Sequence, residues 1–140
     1  MILYTGGTYD LFHFGHVNFL KRCFDLTSGG KVVVSLNTDE FVKKFKGKKP
    51  VISYQEREKS LLSCQYVSQV VKNIGGADSK PSILKVRPDI IAVGSNWARS
   101  DYYKQMGFTQ DWLDKYNIIL AYIPYTWSIS STELKRRLNE

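Results

Sequence analysis

Apolar positions along this chain alternate between two rhythms. Short apolar runs recur at 2–5, 31–36, 67–72, 89–93 and 118–123. The second, Lys31-Val32-Val33-Val34-Ser35-Leu36, is almost continuously β-branched, as expected of a strand buried on both faces. Between these runs the apolar residues space out with helical period near 15–27, 54–64, 79–86, 109–116 and 131–138. Ser53-Tyr54-Gln55-Glu56 and Ser130-Ser131-Thr132-Glu133 each have the form of a capping box and mark two helix starts; Asp78 or Ser79 marks a third. Strands that alternate with helices predict an α/β fold: a doubly wound, Rossmann-like parallel sheet of five strands with helices on both faces. No repeat, low-complexity tract or linker divides the chain, so a single domain over 1–140 is expected. In such sheets ligands bind outside the carboxyl ends of the strands, where strand order reverses. The segments following the first and fourth strands, 6–16 and 94–97, are the expected walls of the site.

Composition narrows the class of protein. The chain has 140 residues, with 43% hydrophobic and 24% charged, ordinary proportions for a globular protein. No apolar run approaches the roughly 20 residues of a membrane span. Met1 leads straight into a strand-like run, which leaves no room for a secretory leader, and two cysteines make no disulfide framework. A cytoplasmic setting without membrane contact is the expectation. The net charge of +7 points to an anionic partner without saying which.

The candidate chemistry is concentrated at the first turn. Gly6-Gly7-Thr8 follows the first strand, and the only two histidines, His13 and His16, stand three residues apart where a helix begins. A helix start presents backbone N–H groups and a favourable dipole to an anion, and glycines allow close approach. Side chains at i and i+3 share a face, so both imidazoles can meet one ligand, with Gly15 leaving room between them. Zinc lacks a ligand set: there is no third histidine, and Cys23 and Cys64 lie far apart in sequence. Ser130, Ser131 and Thr132 open the last predicted helix, where hydroxyls cap the helix or hold a phosphate.

The stretch Thr8-Tyr9-Asp10-Leu11-Phe12-His13-Phe14-Gly15-His16 resembles the HxGH signature of nucleotidyltransferases. Its form is most similar to that of the cytidylyltransferase family, above all the small glycerol-3-phosphate type. The resemblance implies transfer of CMP from CTP to a small phosphate monoester, with glycerol 3-phosphate favoured and pyrophosphate released. It implies Mg²⁺ carried mainly by the triphosphate, with no certain protein ligand, and leaves a homodimer open. It assigns His13 and His16 to the triphosphate, and phosphate or nucleotide contacts to Gly7, Thr8, Tyr9 and Gly15. Asp10 then serves either the substrate or the turn itself.

Further stretches extend the likeness. Tyr125-Thr126-Trp127-Ser128-Ile129-Ser130-Ser131-Thr132 stands where the family reads R-T-x-G-I-S-T-T. The resemblance therefore implies nucleotide contacts at Thr126, Ile129, Ser130, Ser131 and Thr132, with Tyr125 in place of the arginine and Arg99 or Lys135 as compensating cations. Gly94-Ser95-Asn96-Trp97 takes the place of G-D-D-W, implying nucleotide contacts at Gly94, Asn96 and Trp97. Lys43-Lys44-Phe45-Lys46-Gly47-Lys48-Lys49 reads as a solvated loop, as a nuclear-localisation-like tract, or as a mobile lid; the resemblance implies the lid, with Lys46 first and Lys44 second to reach the triphosphate or the second substrate. Arg57, in a Y-x-x-R helix start, supports that lid, holds a phosphate, or lies on the surface. Gln65-Tyr66-Val67-Ser68-Gln69-Val70 stands for R-Y-V-D-E-V, which places Gln65 near the second substrate and the dimer contact. Trp97, Tyr125 and Trp127 are placed to stack on a base or form a cage for a cationic acceptor such as phosphocholine.

Other readings stay open: a different acceptor phosphate, an adenylyltransferase of the same superfamily, and a nucleotide-binding protein without catalysis. A nucleic-acid-binding module fits the lysine run and the charge but leaves the HxGH turn without a role.

Overall fold

The computed structural model describes residues 1–96, 100–124, 126 and 129–139. Five strands, β1 (Ile2–Gly7), β2 (Lys31–Leu36), β3 (Gln69–Lys72), β4 (Ile90–Gly94) and β5 (Ile119–Ile123), form one sheet in the order β3-β2-β1-β4-β5. Every pairing is parallel, with Ile2 opposite Lys31, Val33 opposite Gln69, Leu3 opposite Ile90 and Ile90 opposite Ile119. The helices are α1 (Phe14–Leu26), α2 (Asp39–Lys46), α3 (Tyr54–Leu62), α4 (Lys80–Val86), α5 (Tyr102–Met106), α6 (Gln110–Lys115) and α7 (Ser131–Leu138). The α/β, doubly wound, Rossmann-like architecture is the one expected. No helix among the described residues is long and apolar enough to cross a membrane.

The period-2 alternation of each strand sorts its side chains onto two faces. Leu3, Val32, Val34, Ile90, Ala92 and Ile123 pack with Leu20 and Cys23 of α1 and Leu61 of α3. Their neighbours Tyr4, Ile91 and Val93 pack on the other side with Ile83 of α4, Tyr102 of α5, Leu113 of α6 and Phe108 from the turn before α6. Helices thus cover both faces, which is why β2 reads as one unbroken apolar run. Leu20, Leu61, Ile83 and Leu113 are fully buried, so trimming any one to alanine costs about 2–5 kcal/mol.

Two helices were not expected. Residues 43–46 of the lysine run form the second half of α2, not a loop. The local causes are plain: Thr38 accepts a hydrogen bond from Phe41 N–H, Asp39 and Glu40 occupy the first turn, and Lys43, Lys44 and Lys46 the last. Gly47 stops the helix in the left-handed region at φ 87°. The free lid therefore reduces to a short segment beyond Gly47, which is tied down again at Val51 and Ile52. The five-residue α5 has the same punctuation, Asp101 before it and Gly107 after.

Caps also differ in detail. Ser53 and Ser130 are N-caps as expected, but neither glutamate completes a box: the Glu56 carboxylate accepts from the Ser53 hydroxyl, and that of Glu133 pairs with Arg136 and Arg137. Ser79 sits at the cap position of α4 with its hydroxyl turned to Met106 O, and Asp78 accepts from Lys80 N–H instead.

β1 lies between β2 and β4 while the chain winds outward on each side of it. The reversal point is therefore the β1–β4 pair, and the crevice at its carboxyl end is the place where backbone groups face no further strand.

Candidate active site at the carboxyl ends of β1 and β4

The chain leaves β1 through a tight, strained turn. Tyr9 and Leu11 adopt left-handed backbone conformations, φ 53° and 50°, uncommon for residues with bulky side chains. Two charged groups hold the turn. Asp10 is nearly buried, and its carboxylate accepts from Leu11, Val51 and Ile52 N–H at 3.1, 2.9 and 2.9 Å. Lys135 Nζ lies 3.5 Å away. Burial opposes ionisation of Asp10, but these hydrogen bonds and the lysine charge outweigh it and hold its pKa below the usual value. Both carboxylate oxygens have partners within the protein, so Asp10 acts as an acceptor for the turn. The Ser131 hydroxyl donates to the Asp10 carbonyl and ties α7 to the same turn.

Arg57 is not a surface residue. It is 1% exposed, and its guanidinium donates to Ile52 O at 2.9 Å, Thr8 O at 2.7 Å and Asp39 Oδ1 at 2.7 Å. Three of its donors are thus spent on the turn, on α2 and on the 50–52 segment.

The histidines form the helix start itself. His13 is the N-cap of α1, and its Nδ1 accepts from Gly15 N–H at 3.1 Å. His16 Nδ1 reaches back to accept from His13 N–H at 3.2 Å. This is a reciprocal capping box with imidazole in the roles usually taken by serine and glutamate. An Nδ1 that accepts carries no proton, so each neutral ring carries its proton on Nε2. The rings stack on each other with centroids 3.8 Å apart, and Phe12 stacks on His16 at 5.4 Å.

Burial lowers the pKa of both rings. His16 is pushed down to about 3, chiefly by burial and then by its neighbour His13, with Asp10 opposing. Both are neutral at pH 7. His13 Nε2 is sealed from solvent and has no hydrogen-bond partner. A buried donor without an acceptor is costly and calls for a ligand.

His13 also lines a cavity of about 330 Å³. Gly7, Thr8, Tyr9, His13, Gly15, His16, Gly94, Asn96, Thr126, Ile129, Ser130 and Ser131, all singled out from the sequence, line it together with Phe19. None of these described side chains carries a formal charge at pH 7. Two helix N-termini, those of α1 and α7, face the cavity with the positive ends of their dipoles, and their caps His13 and Ser130 both border it. Gly15 is required by space: a Cβ there would stand 2.9 Å from both His13 Cε1 and Ile129 Cγ2. Tyr9 is buried against His16, with ring centroids 5.1 Å apart, and burial raises its hydroxyl pKa. Asn18 Nδ2 donates to Thr126 Oγ1 at 3.1 Å and holds that loop against α1. Neither Asn18 nor Phe19 carried a local signal, since both read as ordinary helix positions.

A second, more enclosed cavity of about 210 Å³ adjoins the first through Gly7 and Thr8. Lys46 borders this second space, not the histidine cavity. Asn37 and Asn73, which follow β2 and β3, form part of its wall, and no aspartate or glutamate does among the described residues.

Three expected residues fall elsewhere. Lys44 is exposed on α2 and lines neither cavity, because it lies two positions, about 200° of helix, from Lys46. Thr132 is exposed one residue inside α7, past the point where the helix start faces the site. Gln65 borders a separate depression with Phe12, Val17, Ser60, Ser63, Cys64 and Tyr66. It follows α3, behind the α1 start, and does not reach either cavity. Trp97, Arg99, Tyr125, Trp127 and Ser128 lie outside the described residues. No group of three or more His, Cys, Asp or Glu residues suited to a metal ion occurs among the described residues.

The sequence profile of the family described as Cytidylyltransferase-like matches residues 4–137. A glycerol-3-phosphate cytidylyltransferase of Staphylococcus aureus is 33% identical over 135 residues, covering 96% of this chain and 92% of that protein. An FAD synthase of Pyrococcus abyssi is 39% identical over 90 residues, covering 64% of this chain and 60% of that protein. A crystal structure of the lipopolysaccharide core biosynthesis protein from Thermoplasma volcanium superimposes with a TM-score of 0.67 at 21% identity, covering 91% of this chain and 98% of that one. At that identity the likeness bears on the fold alone.

Proposed function

The chain belongs to the cytidylyltransferase-like family, and from that premise we propose that it transfers CMP from CTP to a small phosphate monoester, glycerol 3-phosphate first, releasing pyrophosphate. The observation that carries this reading is the reciprocal histidine cap, which keeps two neutral Nε2–H donors on one helix start and leaves one of them buried without an acceptor. A triphosphate supplies acceptors for both.

The chemistry asks little proton transfer of the protein. A phosphate monoester dianion is already nucleophilic at neutral pH. Its oxygen attacks the α-phosphorus of CTP, one P–O bond forms, and the bond to pyrophosphate breaks. The barrier lies in orientation and in the charge gathered on the phosphoryl oxygens and the leaving group. Fixed N–H donors meet that charge without reorganising. His13, His16, the N–H groups after β1 and the start of α7 serve the nucleotide; Lys46 serves the acceptor or the leaving group from the adjoining cavity. Mg²⁺ accompanies a nucleoside triphosphate with water as most of its ligands, and Asp10, whose oxygens are taken, is not offered as a protein ligand.

A second reading follows from the FAD synthase likeness: an adenine nucleotide as donor. One panel separates the two. Pyrophosphate release is measured for CTP and ATP against glycerol 3-phosphate, phosphocholine, phosphoethanolamine, ribitol 5-phosphate and flavin mononucleotide. CTP with glycerol 3-phosphate is expected to be fastest. Activity with ATP alone overturns the cytidylyl assignment, and CTP binding without turnover on any acceptor leaves a binding protein.

A further inference from the structure

Thr8 stands in the wall common to both cavities, and its surroundings dictate which way its hydroxyl proton points. Gly76 O accepts from Asn73 Nδ2 at 3.0 Å. A carbonyl can only accept, so the Asn73 amide cannot be turned round. Its Oδ1 faces the Ser82 hydroxyl at 3.4 Å, and Ser82 in turn accepts from Ile74 N–H at 3.2 Å. Asn73 Nδ2 also donates to Asn37 at 2.9 Å, so that partner is Asn37 Oδ1. The far end of Asn37 is therefore Nδ2, which donates to Thr8 Oγ1 at 3.1 Å. An amide nitrogen offers no lone pair to a hydroxyl. Thr8 Oγ1 accepts here, and its own proton is left to point elsewhere.

Three adjacent strand ends contribute one member each: Thr8 after β1, Asn37 after β2 and Asn73 after β3. Their backbones are tied in the same order, Asn37 N–H to Gly7 O at 2.9 Å and Asn73 N–H to Leu36 O at 3.0 Å. Arg57 fixes the Thr8 carbonyl from behind at 2.7 Å.

We propose that Asn37 and Asn73 are positioning residues, a directional hydrogen-bond relay that commits the Thr8 hydroxyl to donate to a phosphate oxygen where the two cavities meet. Naming that oxygen as one passed between nucleotide and acceptor rests on the proposed transferase activity. The direction of the relay does not.

Two measurements test it. The first is independent of activity. In the NMR spectrum of the wild-type protein, both Asn73 side-chain amide protons, bonded to Asn37 and to Gly76, should exchange with solvent at least about tenfold more slowly than those of exposed Asn139. Exchange of the Asn37 and Asn73 amide protons at the rate of Asn139 overturns the relay. The second is a double-mutant cycle on turnover with CTP and the best acceptor of the panel. Asn37→Asp preserves shape and still accepts from Asn73, but it draws the Thr8 proton to itself.

In the wild-type and Thr8→Ser backgrounds that change should lower kcat about 10²-fold, the scale of one lost oriented donor, with a smaller rise in KM for CTP. In the Thr8→Val background most of the effect should vanish, because no hydroxyl remains to be misdirected. The added charge acts in every background and cancels in the cycle. An equal loss in all three backgrounds overturns the proposal. Absence of turnover in the wild-type protein defeats the transferase reading instead, and the exchange measurement then decides the relay alone.

Discussion

Acid should weaken this fold through His16 in a way that can be isolated. His16 accepts the His13 N–H through Nδ1 and lies against a second imidazole at 3.8 Å, at the positive end of α1. Protonation there removes the acceptor and places a cation against both. The folded-state pKa of about 3 lies below the ordinary 6.5. Between those values the unfolded chain binds more protons than the folded one, so unfolding becomes easier as pH falls. The stabilisation is complete above pH 6.5 and is lost progressively towards pH 3. At 1.36 kcal/mol per unit, the loss from this group by pH 4 is about 3 kcal/mol as an upper bound.

Urea denaturation at pH 7 and pH 4 measures it, with His16→Gln as the reference. Glutamine at this position can still reach back to the N-cap N–H but does not titrate. Asp10 and His13 also have lowered pKa values and also favour acid unfolding, but they are present in both proteins and largely drop out of the difference. Wild type should lose about 2–3 kcal/mol more than His16→Gln over that interval. Parallel losses, within about 0.5 kcal/mol, would refute the capping role and the neutral state assigned to the ring.

Four substitutions probe the rest of the site. Arg57→Met should lower the unfolding free energy by about 3–5 kcal/mol, since it leaves Asp39, Thr8 O and Ile52 O without their donor; a loss under about 1 kcal/mol in urea titration would contradict the clamp. Gly15→Ala should cost about 1–3 kcal/mol from crowding against His13 and Ile129, and calorimetry should show weaker CTP binding; unchanged CTP affinity would mean that the His13 ring does not meet the nucleotide. Lys46→Ala should reduce kcat/KM about tenfold or more, roughly 1.4 kcal/mol of transition-state stabilisation, while Lys44→Ala changes it less than about twofold; equal effects would return the role to bulk charge on α2.

The sheet was legible because its information is local. Runs such as the one over 31–36 are apolar on both faces whatever the rest of the chain does, and Thr38 and Gly47 are local start and stop signals for α2. The strand–turn–helix that carries His13 and His16 was legible for the same reason: spacing, glycines and the preceding strand all lie within sixteen residues. Gln65 illustrates the limit. Its neighbours in sequence suggest a site residue, but it falls on the far side of the α1 start because β3 pairs with β2, away from the β1–β4 crevice.

The sequence by itself determined the class of fold, the two rhythms that build it, and the turn with its two histidines. Tertiary structure decided what each polar side chain is bonded to. It made Arg57 an internal clamp, Asp10 an acceptor for the 51–52 backbone, and Asn37 and Asn73 a relay. It also converted two histidines into their own helix cap, which fixes where their protons sit. The reason is physical. Periodicity and turn chemistry act between residues a few positions apart, whereas a buried polar group takes whatever donor or acceptor the packed chain brings to it. Thr8 meets a partner forty-nine residues away in Arg57 and another twenty-nine away in Asn37, and no pattern within the turn announces either.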